Sequence, residues 1–279
     1  MAMNSINTNV GAMIALQNLN GTNSQLATTQ SRINTGLKVA NAKDNGAIWA
    51  IAQNQRSNVG ALETVTDSLN RGKSTLDVAI SAGETISDLL NQMKAKALAA
   101  ADVSLDSVAR AAMNDDFKAL RDQIKKTVSS ASFNGTNLLN TSAVNLYSLA
   151  DATGTSKLTA QAQIMGLGVA GGILQTVTPT ASFSTQATAS AMVATLNAAI
   201  TGVNAAVAKM GTASKAYDLH TAFVGKLMDT MTAGIGNLVD ADVAKESATL
   251  QALQTKQQLG IQALSIANQS PQAILSLFR

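Results

Sequence analysis

Charge is missing from both ends of this chain. No charged side chain occurs between Met1 and Ser31, with Arg32 the first, and none between Lys256 and the terminal Arg279. A third gap runs from Leu158 to Ala208. Polarity in the two terminal gaps comes from Asn, Gln, Ser and Thr among aliphatics. A helix on the surface of a monomer ordinarily carries Lys and Glu on its wet face. Helices surrounded by protein avoid charge, because an unpaired buried ion costs several kcal/mol.

Spacing turns the gaps into helices. Leu19, Leu26 and Ile33 recur at seven, flanked by Leu16 and Leu37. At the other end Leu250, Leu253, Gln257, Gly260, Leu264, Ala267, Pro271, Ile274 and Phe278 step by three and four. That is a coiled-coil seam whose small residues admit close approach. The last stretch, "ANQSPQAILSLFR", reads as a helical turn of its own, with Ser270 as cap and Pro271 in the first helical position. Such ends are expected to pack on each other and on neighbouring copies.

Between them, a long helix is expected from Ala47 to about Ala101, with Val59, Leu62, Leu69, Leu76, Ile80, Leu90 and Met93 near heptad spacing. A second is expected from about Leu105 to Ser130. "SFNGTNLL" then breaks the pattern with an Asn-Gly turn. Val144–Leu149 and Lys157–Val177 read as short strands or loops around a hairpin. From Ser184 a helix resumes through Val193, Leu196, Ile200, Val203, Val207 and Met210, and on through Tyr217, Val224, Leu227 and Met231 to Leu238. The expected fold is mainly α: a long antiparallel coiled-coil rod with a small β-hairpin region, the N- and C-terminal halves antiparallel.

Composition agrees with helices. Hydrophobic residues are 46% of the 279, yet aromatics are only 3%, and there are two prolines and no cysteine. Absence of cysteine excludes disulfide frameworks and thiolate chemistry. The net charge of +3 is spread over interspersed Lys, Arg, Asp and Glu, so no nucleic-acid partner is expected. No secretory signal and no run of about 18 apolar residues is visible, so no membrane insertion is expected.

Sharper chemical readings fail on context. "GLGVAG" (Gly166–Gly171) has the dinucleotide spacing, but no helix follows and no acidic residue occurs between Lys157 and Asp218; a flexible surface hairpin is expected instead. Asp242 and Glu246 would share a helix face while Asp240 points away, so metal ligation from that helix fails. His220 is the single histidine, too few for a His-pair zinc site, and no G-x-S-x-G serine accompanies it. Trp49 is read as packing. Neither an enzyme nor a cofactor is expected.

The residues that stand out as a pattern are "INTNVGAMIALQNLN" (Ile6–Asn20), "QSRINTGLKVANAKDNGAIWAIAQNQRSNVGAL" (Gln30–Leu62), "FNGTNLL" (Phe133–Leu139) and "VDADVAKESATLQALQTKQQLGIQALSIANQSPQAILSLFR" (Val239–Arg279). Together they resemble bacterial flagellin, in order and at both ends. The resemblance implies a structural subunit that polymerises into the extracellular flagellar filament used for motility, exported through the flagellar type III apparatus with a chaperone. It implies partners in the chain itself, other flagellins, and the hook–filament junction and cap proteins. The nearest alternative is a junction protein, which shares the end architecture.

Residues 1–43 with 241–279 would form the inner filament core, and 44–240 an outer helical region with a short variable part around 133–182. Core packing would fall to Ile6, Val10, Leu16, Leu19, Leu26, Ile33, Leu37, Leu250, Leu253, Leu264, Ile274, Leu275, Leu277 and Phe278. Arg32, Asp44, Asp240, Asp242, Glu246 and Arg279 would make polar contacts between subunits. The stretch read by the innate flagellin receptor carries Gln92, Lys94, Ala95 and Lys96 where relatives have arginines and a Glu-Leu pair. Lysine does not reproduce arginine's planar fork, so weakened recognition is expected.

Overall fold

A computed structural model describes residues 8–276, with side chains to Gln269. Five helices are described: α1 (Val10–Thr35), α2 (Gly46–Ala100), α3 (Ser107–Ser130), α4 (Gln186–Val239) and α5 (Val243–Ser276). Four short strands lie between α3 and α4: β1 (Ser132–Phe133), β2 (Thr136–Asn137), β3 (Leu146–Leu149) and β4 (Lys157–Ala160). The chain divides into two compact units, residues 1–57 with 230–279, and residues 58–229.

In the 58–229 unit the core is a 3–4 seam on each long helix. Leu62, Val65, Leu69, Leu76, Ile86, Leu90, Met93 and Ala97 are buried on α2, and Ala189, Leu196, Ala199, Val203, Ala206, Met210, Tyr217 and Val224 on α4. The two run antiparallel: Ser87 bonds Asn204 at 2.8 Å, Ser214 bonds Asp77 at 3.3 Å, and Lys73 pairs with Asp218. Glycines bring them together. A Cβ on Gly83 would lie 2.7 Å from Val207 Cγ2, so only hydrogen fits there.

α3 begins at an aspartate cap, Asp106, whose carboxylate accepts the Ala109 N–H at 2.6 Å. Phe117, Ile124 and Val128 form its buried face, with Phe117 edge-on to Phe183. After α3, β1 and β2 pair antiparallel around Asn134 and Gly135, both at positive φ (48° and 79°). That is the geometry an Asn-Gly hairpin turn demands. β3 and β4 pair antiparallel from Leu146↔Ala160 to Leu149↔Lys157, and the Leu149 N–H bonds Ser68 on α2 at 3.1 Å.

Three expectations change. Gly166–Gly171 is not a flexible surface hairpin. The segment is a compact irregular loop, closed by Gly168 N to Leu174 O (3.0 Å) and Ile173 N to Ile164 O (2.8 Å). Met165, Leu174 and Val177 are buried, so apolar anchors at its ends bind it to the core. Second, α4 is long and apolar enough to cross a membrane by length and composition, where the sequence showed no continuous apolar run. Its hydropathy comes from alanine and from the uncharged stretch ending at Ala208, while its large buried residues keep to one seam. Third, α5 does not restart at Ser270: it runs unbroken through Pro271 to Ser276. The carbonyl that Pro271 leaves without a helical donor belongs to Ala267, and the Asn9 side chain supplies one at 2.7 Å.

Candidate functional site

The two uncharged ends pair within the 1–57 and 230–279 unit. α1 and α5 lie antiparallel in a register set by four contacts. Asn9 Nδ2 donates to Ala267 O, and a Cβ on Gly260 would sit 3.3 Å from Leu19 Cδ1. Gln257 Nε2 donates to Asn23 Oδ1 at 2.8 Å, and Arg32 donates to Glu246 at 3.1 Å. Gly260 is the small residue that lets the backbones approach.

On α1 the covered positions are Ala12, Ala15, Leu19, Thr22, Leu26, Thr29 and Ile33, an unbroken 3–4 alternation. On α5 they are Glu246, Leu250, Leu253, Gln257, Gly260, Leu264 and Ala267. The expected Leu19, Leu26, Ile33, Leu250, Leu253 and Leu264 therefore meet in one seam. Thr22 and Thr29 are the most buried α1 residues, at 4% and 5% exposure, and leucine periodicity alone passes over them. Each stands three residues after a leucine, which was the available signal. Thr22 Oγ1 donates back to Asn18 O at 2.9 Å, so its hydroxyl is paired.

Other expected residues lie elsewhere. Val10 and Leu16 point outward, at 54% and 47% exposure. Met13, Ile14, Leu259, Ile261 and Ile266 are exposed with them. Leu37 bridges Asp240, and the Lys38 N–H bonds Val239 O at 2.6 Å, tying the residues after α1 to those before α5. Ile6, Leu277, Phe278 and Arg279 lie outside the described residues, and Ile274 and Leu275 are described only as α5 backbone.

The polar set gathers in one open groove of about 660 Å³ lined by Arg32, Lys38, Asp240, Asp242, Lys245 and Glu246. Asp242 caps α5, accepting from the Ala244 and Lys245 N–H groups at 3.0 and 3.1 Å. Asp44 stands apart and closes the Ala40–Asp44 turn through the Ala40 and Asn41 N–H groups. On α2, Gln92 and Ala95 are exposed, and Lys96 is paired with Asp116 of α3 at 2.7 Å. His220 Nε2 is bonded to Ala150 O at 2.8 Å, and among the described residues no acidic or histidine cluster could hold a metal.

The paired terminal helices thus leave apolar side chains exposed in their uncharged stretches. The comparisons name the family. The bacterial flagellin N-terminal helical region matches residues 6–144, and the bacterial flagellin C-terminal helical region matches residues 193–278. The chain belongs to the bacterial flagellin family. It is 56% identical to flagellin FljK and 55% identical to flagellin FljM of Caulobacter vibrioides, over 279 residues and 100% of both chains in each case. A crystal structure of Bacillus cereus flagellin matches with a TM-score of 0.43 at 20% identity, covering 66% of this chain and 94% of that one. This flagellin is a structural subunit of the flagellar filament, made to self-assemble with flagellins.

Proposed function

We propose that this flagellin polymerises through its α1–α5 pair, which becomes the filament's inner core, while residues 44–240 form the outer tube. The observation that carries the reading is the outward face of the pair. Val10, Met13, Ile14 and Leu16 on α1, and Leu259, Ile261 and Ile266 on α5, are exposed in one chain. No charged residue lies on either helix in these stretches. Large apolar side chains exposed together on a pair of helices mark an interaction site. In a polymer it is covered by the same helices of neighbouring copies, and Ile6, Ile274, Leu275, Leu277 and Phe278 join the packing.

Within that reading the polar groove of Arg32, Asp240, Asp242 and Glu246, with Asp44 and Arg279, borders adjoining subunits. The chain is secreted through the flagellar type III apparatus to the extracellular filament. A chaperone covers the C-terminal apolar surface before export, and the junction and cap proteins meet the filament's two ends. It binds no nucleic acid, inserts in no membrane and catalyses no reaction; its one histidine is occupied by a backbone carbonyl.

Negative-stain electron microscopy of the purified chain with filament seeds tests the reading, with a copy truncated at Leu250 alongside. Long filaments from the intact chain and none from the truncated one are expected. Filaments from both would refute a core built from α5, and short caps alone would favour a junction protein.

A further inference from the structure

An asparagine side-chain amide is most open to attack by the next backbone nitrogen when glycine follows, because glycine has no Cβ to hinder the approach. The sequence has three such pairs: Asn20-Gly21, Asn45-Gly46 and Asn134-Gly135. Two are held. Asn20 and Gly21 lie inside α1, where the backbone is fixed and the Gly21 N–H donates to the carbonyl four residues back. Asn45 caps α2: its side-chain oxygen accepts the Ile48 N–H at 3.1 Å, and its carbonyl accepts the Trp49 N–H at 2.9 Å.

Asn134-Gly135 is held by neither device. Both residues are exposed at the tip of the β1–β2 hairpin. Among the described residues no group bonds the Asn134 side chain. The ladder closes on Phe133 and Thr136, so the Gly135 N–H stands outside it. A Cβ on Gly135 would meet nothing within 4 Å, so water reaches the pair freely. The attack requires the peptide between Asn134 and Gly135 to swing towards the side chain, out of the left-handed geometry of the closed turn (φ 48° at Asn134). A ladder of two residue pairs resists that swing little, because so short a hairpin is marginal on its own and opens locally.

We propose that Asn134-Gly135 is a site of spontaneous deamidation, a modification that the other two pairs resist. The proposal is independent of the filament reading. The Gly135 nitrogen forms a bond to the Asn134 amide carbon, the side-chain carbon–nitrogen bond breaks, and ammonia leaves with the Gly135 N–H proton. Water then opens the cyclic imide at either carbonyl, giving aspartate or isoaspartate. The product is a carboxylate in a stretch with no charge between Lys126 and Asp151, and the net charge falls by one, from +3 to +2. The aspartate form keeps the turn, because aspartate also accepts positive φ. The isoaspartate form adds a backbone carbon inside a two-residue turn and disturbs the register of β1 on β2. Asn137 of β2 donates to Val128 O on α3 at 2.7 Å and accepts the Leu139 and Asn140 N–H groups at 2.8 and 3.0 Å. The disturbance is thereby passed to the end of α3.

The test uses the unmodified full-length chain, folded and unfolded in guanidinium, incubated in mildly alkaline buffer and sampled over days. Peptide mapping by mass spectrometry reads amide-to-acid conversion at each asparagine. Isoaspartate methyltransferase with a labelled methyl donor reads the isoaspartate product. In guanidinium the three pairs are expected to convert at similar rates. In the folded chain Asn134 is expected to convert at least tenfold faster than Asn20 and Asn45, with methyl label in the peptide that contains Asn134. A folded chain in which Asn134 converts no faster than Asn20 and Asn45 overturns the proposal, because the turn then protects its asparagine as well as a helix does.

Discussion

Asn9 holds Ala267 by a 2.7 Å bond from its side-chain amide to a backbone carbonyl 258 residues later. The same side chain caps α1, its oxygen accepting the Ala12 N–H at 3.0 Å. Ala267 is four residues before Pro271, so its carbonyl has no helical donor. One asparagine therefore satisfies the start of α1 and the defect in α5. Asn9→Ser keeps a cap but is too short to reach Ala267, whereas Asn9→Ala loses both bonds. The alanine variant is expected to destabilise the α1–α5 pair by about 1–2 kcal/mol, with the serine variant between it and the native protein. Amide hydrogen exchange over the first turn of α1 and over residues 264–267 reads both.

Gly72 faces Tyr217 and Ser148 with no room for a methyl. An added Cβ would lie 2.3 Å from Ser148 Oγ and 2.5 Å from Tyr217 Cε1. The ring is held by its hydroxyl, which donates to Leu158 O at 3.1 Å. Gly72→Ala is expected to cost about 1–3 kcal/mol through overpacking. Gly60, on the same helix, has nothing within 4 Å of such a Cβ. Gly60→Ala is expected to stabilise by about 0.5–1 kcal/mol. Urea denaturation of the two variants gives opposite signs.

Arg110 closes the end of α2. Its guanidinium donates to Ala100 O at 2.9 Å, and to Asp102 O and Leu105 O at 3.0 Å. Ala100 O is the last carbonyl of α2, where a helix runs out of its own donors, and the other two lie in the turn that leads to α3. Arg110→Lys keeps the charge and loses the fork, so it is expected to recover less than half of the stability that Arg110→Ala loses. That loss is expected to be about 1–2 kcal/mol, read by thermal denaturation.

Asp151 organises the β3–β4 turn. The Thr153 hydroxyl above all, with the Ser156 N–H and Thr155 hydroxyl, holds its carboxyl below the usual aspartate range against partial desolvation. A carboxylate whose folded pKa is depressed stabilises the fold above its unfolded value. It loses that contribution as pH falls through the folded one. The hairpin is expected to loosen only in acid, below the ordinary aspartate pKa, and to stay unchanged from pH 5 to 8. Asp151→Asn is expected to flatten this acid limb, measured by the pH dependence of exchange at Gly154 and Ser156.

The α2 stretch carrying Gln92, Lys94, Ala95 and Lys96 has no arginine fork, and Lys96 is engaged by Asp116. Innate flagellin-receptor reporter cells are expected to respond to the monomer at least tenfold less than to a strongly stimulating flagellin. Gln92→Arg with Lys94→Arg is expected to recover part of the response; an unmodified chain of full potency refutes the expectation.

Helix identity and length were legible in the residues because burial on one side imposes a 3–4 repeat that survives without any neighbour being known. Leu19, Leu26, Ile33, Leu250, Leu253 and Leu264 reveal the terminal seam this way, and Asn134-Gly135 reveals its turn because few residue pairs accept positive φ at both positions. The lack of charge at both ends is likewise a property of the sequence alone. Thr22 and Thr29, the most buried residues of α1, were not legible as core, since a hydroxyl reads as surface until its helix shows the carbonyl it bonds. Pro271 read as the start of a helix because the donor for Ala267 O lies on Asn9, at the other end of the chain. Local pattern determines which segments become helices and which face is apolar. Tertiary structure alone decided which carbonyl receives Asn9 and which glycine admits Tyr217. It also decided which apolar side chains remain outside for another copy, because each depends on two segments far apart in sequence meeting at one register.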